Sequence, residues 1–374
     1  MWNLLKTLAK IFAVLLLVVA GLVAWNWQLA VVVADMAMVA FEEPDWGAIK
    51  DEDTLIRFLA AHPDDFGLII QTIDETGAVV AEPLAHRADE PHALASTVKI
   101  VVLSAVARAL HDGAWAAEDP LSSEAWDSWY IPATDGGAHA AAYDQLGIPH
   151  TDGFANEPHE LTVLQVAGAM IRWSDNAATD LLITRLGDRI GAEAALLGHS
   201  PIRPLFHDML AVFWPDETGD YRDDAVRARI TAQAAPPTKF SFQRTVLAES
   251  MSGGTPRTYA RIQAGVATRT WISPEASGFM ADLLDWPMDI PGNADQFAQL
   301  GTKGGSVPGV LTEATYLVAM EGDHAGEIRV GALFLNRLSG SAWLSLQESF
   351  VQQGLLVSML TDDDTVDRVV RALD

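Results

Sequence analysis

The chain has 374 residues, more than one ordinary domain needs and within reach of a single large catalytic domain with an anchor. Apolar residues make up 49%, enough for a substantial core, whereas 50 acidic against 24 basic residues give a formal charge of −26 that repels phosphate backbones; no nucleic-acid partner is expected. Cysteine is absent, which excludes disulfides, thiol catalysis, zinc–thiolate sites and a lipid-modified N-terminal cysteine.

Ile11 to Trp25 is an unbroken apolar run, continued through Leu29 to Val33 with only Asn26 and Gln28 as interruptions, and is long enough to span a bilayer. Lys6 and Lys10 precede it, and Asp35, Glu42, Glu43 and Asp45 follow it. That asymmetry places the N-terminus in the cytoplasm and everything downstream in the periplasm. Residues 1–34 are therefore expected to form a single-pass inner-membrane helix. A cleaved signal peptide is the competing reading, with a weak small-residue pattern at Val18 to Ala20. Residues 35–64 read as an acidic connector with a helical pattern around Ile49, Leu55, Ile56 and Leu59, and residues 65–374 as the folded domain.

Within that domain, 67–74 and 78–83 are strand patterns joined by Glu75-Thr76-Gly77, a tight-hairpin sequence. The stretch 92–110 reads as a loop entering an apolar helix. A loop-rich segment, 111–160, follows, with Trp126, Trp129 and Tyr130 pinning the loop or lining a cleft mouth. Three helical patterns, 161–173, 177–186 and 189–197, and a further one over 260–284 make the middle of the domain α. Strands return from Gln299 onward, including 315–320 and 328–335, and a helix is expected over 342–360. The fold class is thus mixed α/β of the α+β type: an antiparallel sheet flanked by helices, with a second, all-helical lobe.

Ser96-Thr97-Val98-Lys99 puts a hydroxyl and an amine one helical turn apart at the start of a helix. A lysine amine with a pKa of ~10.4 becomes a base at neutral pH only if that value falls by roughly three units, a cost of about 4 kcal/mol. A helix N-terminus and a second lysine both push in that direction. Taken alone, the four residues describe a capped helix with a surface lysine. Ser174-Asp175-Asn176, between two helical stretches, is by itself an N-cap. Lys303-Gly304-Gly305-Ser306, at the end of an expected strand, is by itself a turn.

In this order the three resemble the Ser-x-x-Lys, Ser-Asp-Asn and Lys-Thr-Gly set of class A-like serine β-lactamases and penicillin-binding proteins. Two of the three lysines beyond the connector fall in these motifs. The resemblance covers roughly residues 65 to 360 and implies the following roles. Ser96 attacks a carbonyl, Lys99 accepts its proton, and Ser174 passes a proton to the leaving nitrogen. Lys303 orients Ser174 and attracts a substrate carboxylate; Asn176 and Gly305 bind substrate; the backbone N–H groups of Ser96 and Ser306 form an oxyanion hole. The implied partner is a small β-lactam or a peptidoglycan-like peptide, with no cofactor and no metal. The family's hydroxyl after the third-motif lysine is missing at Gly304, with Ser306 or Thr302 as stand-ins. No Glu-x-x-Leu-Asn sequence supplies the class A deacylating glutamate, and Glu249 lies too close to Thr255-Pro256 to be it. The leading expectation is β-lactam hydrolysis. A D-alanyl-D-alanine peptidase or esterase with slow deacylation is the alternative, and a non-catalytic penicillin-binding or sensor module is a third. His139, His150 and His159, with Asp144 and Asp152, match no metal frame and read as a solvated loop. Arg329, on a late strand, is a candidate carboxylate binder.

Overall fold

The computed structural model describes residues 49–132, 134–217, 219–233, 238–251 and 253–374. The expected anchor at 1–34 lies outside them, and no helix among the described residues is long and apolar enough to cross a membrane.

Helix α1 (Glu52–Ala61) opens at Asp51, whose carboxylate accepts from Thr54 N at 2.9 Å. Its Leu55, Ile56 and Leu59 are buried, so this part of the expected connector packs into the core. Strands β1 (Phe66–Ile73) and β2 (Val79–His86) form the anticipated hairpin, with Gly77 at φ +86° in the turn. After α2 (Lys99–His111) and a helical block that includes α3 (Asn176–Leu186), α4 (Leu205–Phe213) and α5 (Pro256–Ala267), the chain returns to the sheet. It does so as β3 (Phe297–Val307), β4 (Val310–Ala319) and β5 (Ile328–Leu335). The five strands are antiparallel throughout, in the order β2-β1-β5-β4-β3.

Every residue of β1 is buried because helices cover both faces of the sheet. Alternation along the strand splits the core. Ile69 joins the cluster beneath α2, α5 and the helical lobe, whereas Leu68 and Ile70 join α1 and the C-terminal helices on the other face. Two expectations for the C-terminal part need correction. Lys303 lies inside an eleven-residue strand, since the apolar signal at 315–320 marks only the second half of β4. The single helix expected over 342–360 is two, α6 (Gly340–Ser349) and α7 (Val351–Thr361), and a further helix, α8 (Asp363–Leu373), follows them. Phe350, at φ +54°, breaks the first junction without any glycine or proline to signal it.

Candidate active site

Ser96 sits on a 3₁₀ turn, Ala95–Val98, that runs directly into α2. Ala95, the residue before it, is held at φ +46°, an unfavourable conformation for a residue with a Cβ, and the surroundings lock it there. Thr97 Oγ1 and Thr312 Oγ1 are 2.7 Å apart, and Thr312 in turn donates to Leu94 O at 2.6 Å, pinning the turn to β4. On β3, a Cβ at position 305 would lie 2.6 Å from Ser96 N and 2.7 Å from Leu94 O. Only glycine lets the edge strand approach the turn this closely.

The second motif hangs from a π-helical turn, Ala169–Trp173, at the end of the helix that opens at Val163. Ser174 follows in the left-handed region at φ +63°, and Asp175 caps α3 by accepting from Ala178 N at 3.0 Å. This bend brings Ser174 Oγ between two amines: Lys99 Nζ donates to it at 3.1 Å and Lys303 Nζ at 3.0 Å. Lys99 also donates to Ser174 O at 2.5 Å and Asn176 Oδ1 at 2.8 Å, and Lys303 to Gly304 O at 2.6 Å.

Both lysines are buried. Burial, with the charge of Lys303 adding to it, holds the Lys99 amine well below the usual lysine range. Burial brings Lys303 down to about 8, against the pull of Glu313. Among the described residues no hydrogen bond joins Ser96 Oγ to Lys99 Nζ; the amine is turned onto the second motif. Ser96, Ser174, Asn176, Lys303, Gly305 and Ser306 nevertheless line one cavity of about 610 Å³, with Lys99 beneath them. The convergence expected from the sequence is therefore present, with the contact between the first serine and its lysine left open.

Neither expected stand-in fills the place of the missing hydroxyl. The Ser306 hydroxyl accepts from Trp343 Nε1 and Gln347 Nε2, and the Thr302 hydroxyl donates to Glu313. Glu313 is the cross-strand partner of Gly304, and a Cβ at 304 would meet its Oε2 at 2.6 Å. A buried carboxylate thus occupies the space a side chain at 304 would take. Sequence gave no hint of it, because the pairing depends on register.

His139 also departs from expectation. It is fully buried rather than solvated, with Nδ1 2.7 Å from Asp175 Oδ2 and Nε2 3.1 Å from Asp127 Oδ1. Burial disfavours the imidazolium, but the two carboxylates outweigh it and hold the ring at about 9. Trp126, Trp129 and Tyr130 are buried and pin the loop. Arg329 is buried between β5 and α7, donating to Met359 O and paired with His324, and does not line the cavity.

From the segment between α3 and α5, the cavity receives Leu205, Met209, Phe213 and Met251, all apolar. Asp180, buried on α3, accepts from Leu205 N at 2.5 Å and Phe206 N at 3.0 Å and so fixes the start of α4 against the cleft. Glu249 is exposed and does not line the cavity; the carboxylates that do are Asp135 and Glu313.

No curated protein matches the chain. Among solved structures, the TLA-1 extended-spectrum β-lactamase is similar at 12% identity with a TM-score of 0.50, covering 86% of this chain and 98% of that one. A PBP-A variant, solved as its acyl-enzyme complex with penicillin G, gives 17% identity and a TM-score of 0.49 over 81% of this chain and 96% of that one. A β-lactamase from Sphaerobacter thermophilus gives 20% and 0.47 over 80% and 96%. At these identities the likeness is one of fold. The profile of the Beta-lactamase enzyme family matches residues 52–325, most of the chain and all three motifs, and the protein belongs to that family as a serine β-lactamase-like hydrolase.

Proposed function

We propose that the protein is an exported, membrane-anchored acyl hydrolase that forms an acyl-enzyme on Ser96 with cyclic amides, peptide amides or esters and releases it slowly. The observation that carries the reading is the Ser174 hydroxyl held between two buried lysines, Lys99 and Lys303, in the cavity that Ser96 lines. Ser96 Oγ attacks the carbonyl carbon as its proton passes to the lone pair of Lys99 Nζ, which is free because the neutral amine has only two N–H donors for the three acceptors around it. The negative charge on the carbonyl oxygen is met by the backbone N–H groups of Ser96 and Ser306. Collapse breaks the bond to the leaving nitrogen or oxygen, which takes a proton from Ser174 Oγ as Ser174 Oγ takes from Lys99 Nζ the proton that came from Ser96; Lys303 keeps Ser174 oriented, and Asn176 holds the acyl side chain.

Slow release is supported by the apolar wall of Leu205, Met209, Phe213 and Met251, which offers no base for a hydrolytic water. This favours the peptidase or esterase alternative over efficient β-lactam turnover. Export and anchoring are supported by the apolar run at 11–33 and the lysines before it.

Intact-mass spectrometry with an alkyl fluorophosphonate tests the reading. The wild type should gain one adduct, mapped to Ser96, and Ser96→Ala none; an unlabelled wild type, or a label that survives Ser96→Ala, would refute it.

A further inference from the structure

The charges that line the cavity are Lys303, Asp135 and Glu313; no arginine and no second lysine lines it among the described residues. Lys99 does not line the cavity, and burial holds its amine well below the usual lysine range. Along the cavity lining, one lysine therefore faces two carboxylates, in a chain whose formal charge is −26. Glu313 is the nearer antagonist. Its Oε1 accepts from Thr302, its Oε2 accepts from Gln353 Nε2 at 3.0 Å, and the latter oxygen lies where a side chain at 304 would stand, one residue along β3 from Lys303. Burial pushes the Glu313 carboxyl above the usual carboxylate range, while the hydrogen bonds from Thr302 and Gln353 and the neighbouring Lys303 ammonium pull it back toward the ionised form. Leu205, Met209, Phe213, Trp286 and Trp343 make part of the remaining wall apolar, with Gln347, Gln352 and Gln353 as uncharged polar neighbours.

We infer that Glu313 is a specificity-determining residue that turns the cleft away from acyl donors carrying a free carboxylate beside the scissile bond and toward uncharged, lipophilic amides and esters. The inference rests on Ser96 being the acylated nucleophile and names the substrate class of that site. A ligand carboxylate approaching Lys303 meets the Glu313 carboxylate behind the same stretch of strand, and like charges in a partly desolvated cleft repel more strongly than in water. Replacing the acid by a neutral ester removes that repulsion and adds apolar surface to an apolar wall.

The experiment compares acylation rate constants of the full-length protein, in detergent, with penicillin G and with penicillin G methyl ester, read by intact mass. The wild type should react faster with the ester by about tenfold or more. Glu313→Gln should narrow that ratio by a similar factor, because it removes the charge and keeps the shape; a merely structural role would slow both compounds alike. A wild type that prefers the free acid overturns the inference whether or not the variant folds, and so does a ratio unchanged in Glu313→Gln. If the fluorophosphonate labels Ser96 while the ester ratio fails, only the substrate class is lost; if nothing labels Ser96, the reading of the site falls with it.

Discussion

Ser174 Oγ receives both lysines, so the protonation states of Lys99 and Lys303 should shape the pH dependence of acylation in opposite senses. Lys99 works as a base only when neutral, and burial assists that; Lys303 holds Ser174 only as a cation, and burial leaves it one up to about pH 8. The second-order rate of fluorophosphonate labelling should therefore rise as Lys99 loses its proton and fall again as pH passes about 8. His139 contributes at one remove. Its pKa in the fold, about 9, lies above the ordinary 6.5, so the stabilisation it gives is complete below 6.5 and is lost as pH rises through 9. Chemical denaturation should show the stability gap between the wild type and His139→Gln shrinking by up to about 3 kcal/mol between pH 6 and 9.5. The motif residues were legible in the sequence because each motif is a short local pattern. His139 was misread as solvated because its partners Asp127 and Asp175 are 12 and 36 residues away, and nothing local marks them as neighbours.

Strand and helix placement decides what the cleft lacks. Helix α4 presents Leu205 and Met209 to the cavity, and Asp180 clamps its first two N–H groups, so position 205 is both fixed and part of the wall of the cavity that Ser96 lines. Leu205→Glu should supply a carboxylate able to activate water, and the lifetime of a Ser96 acyl adduct, followed by mass spectrometry, should fall by at least about tenfold. The hairpin β1–β2 and the central helices followed from periodicity and turn chemistry. The strand register that sets Glu313 opposite Gly304 did not, since a strand's alternation says which residues share a face and leaves its partner's identity open. The break at Phe350 was equally silent, because the left-handed residue there is neither a glycine nor preceded or followed by a proline.

At the scale of the whole molecule, the sheet divides two cores of different origin. One belongs to the nucleophile helix and the helical lobe; the other is sealed by α1 with α7 and α8. Val369 on α8 is 1% exposed within the second core. Val369→Asp buries a charge without a partner and should lower the free energy of unfolding in urea by about 2–4 kcal/mol. Fluorophosphonate labelling should persist below the new unfolding midpoint, because no residue of α8 lines the cleft.

The imidazole of His139 is shut in a box of Trp126, Tyr130 and Tyr143, with a carboxylate closing each nitrogen. Protons held in that box exchange with solvent only when the box opens, and one of them points at the residue next to Ser174. The protein thus contains its own magnetic-resonance reporter: a pair of slowly exchanging ring N–H signals whose frequencies shift when an occupant of the cleft disturbs the second motif, with no label attached to any reacting group.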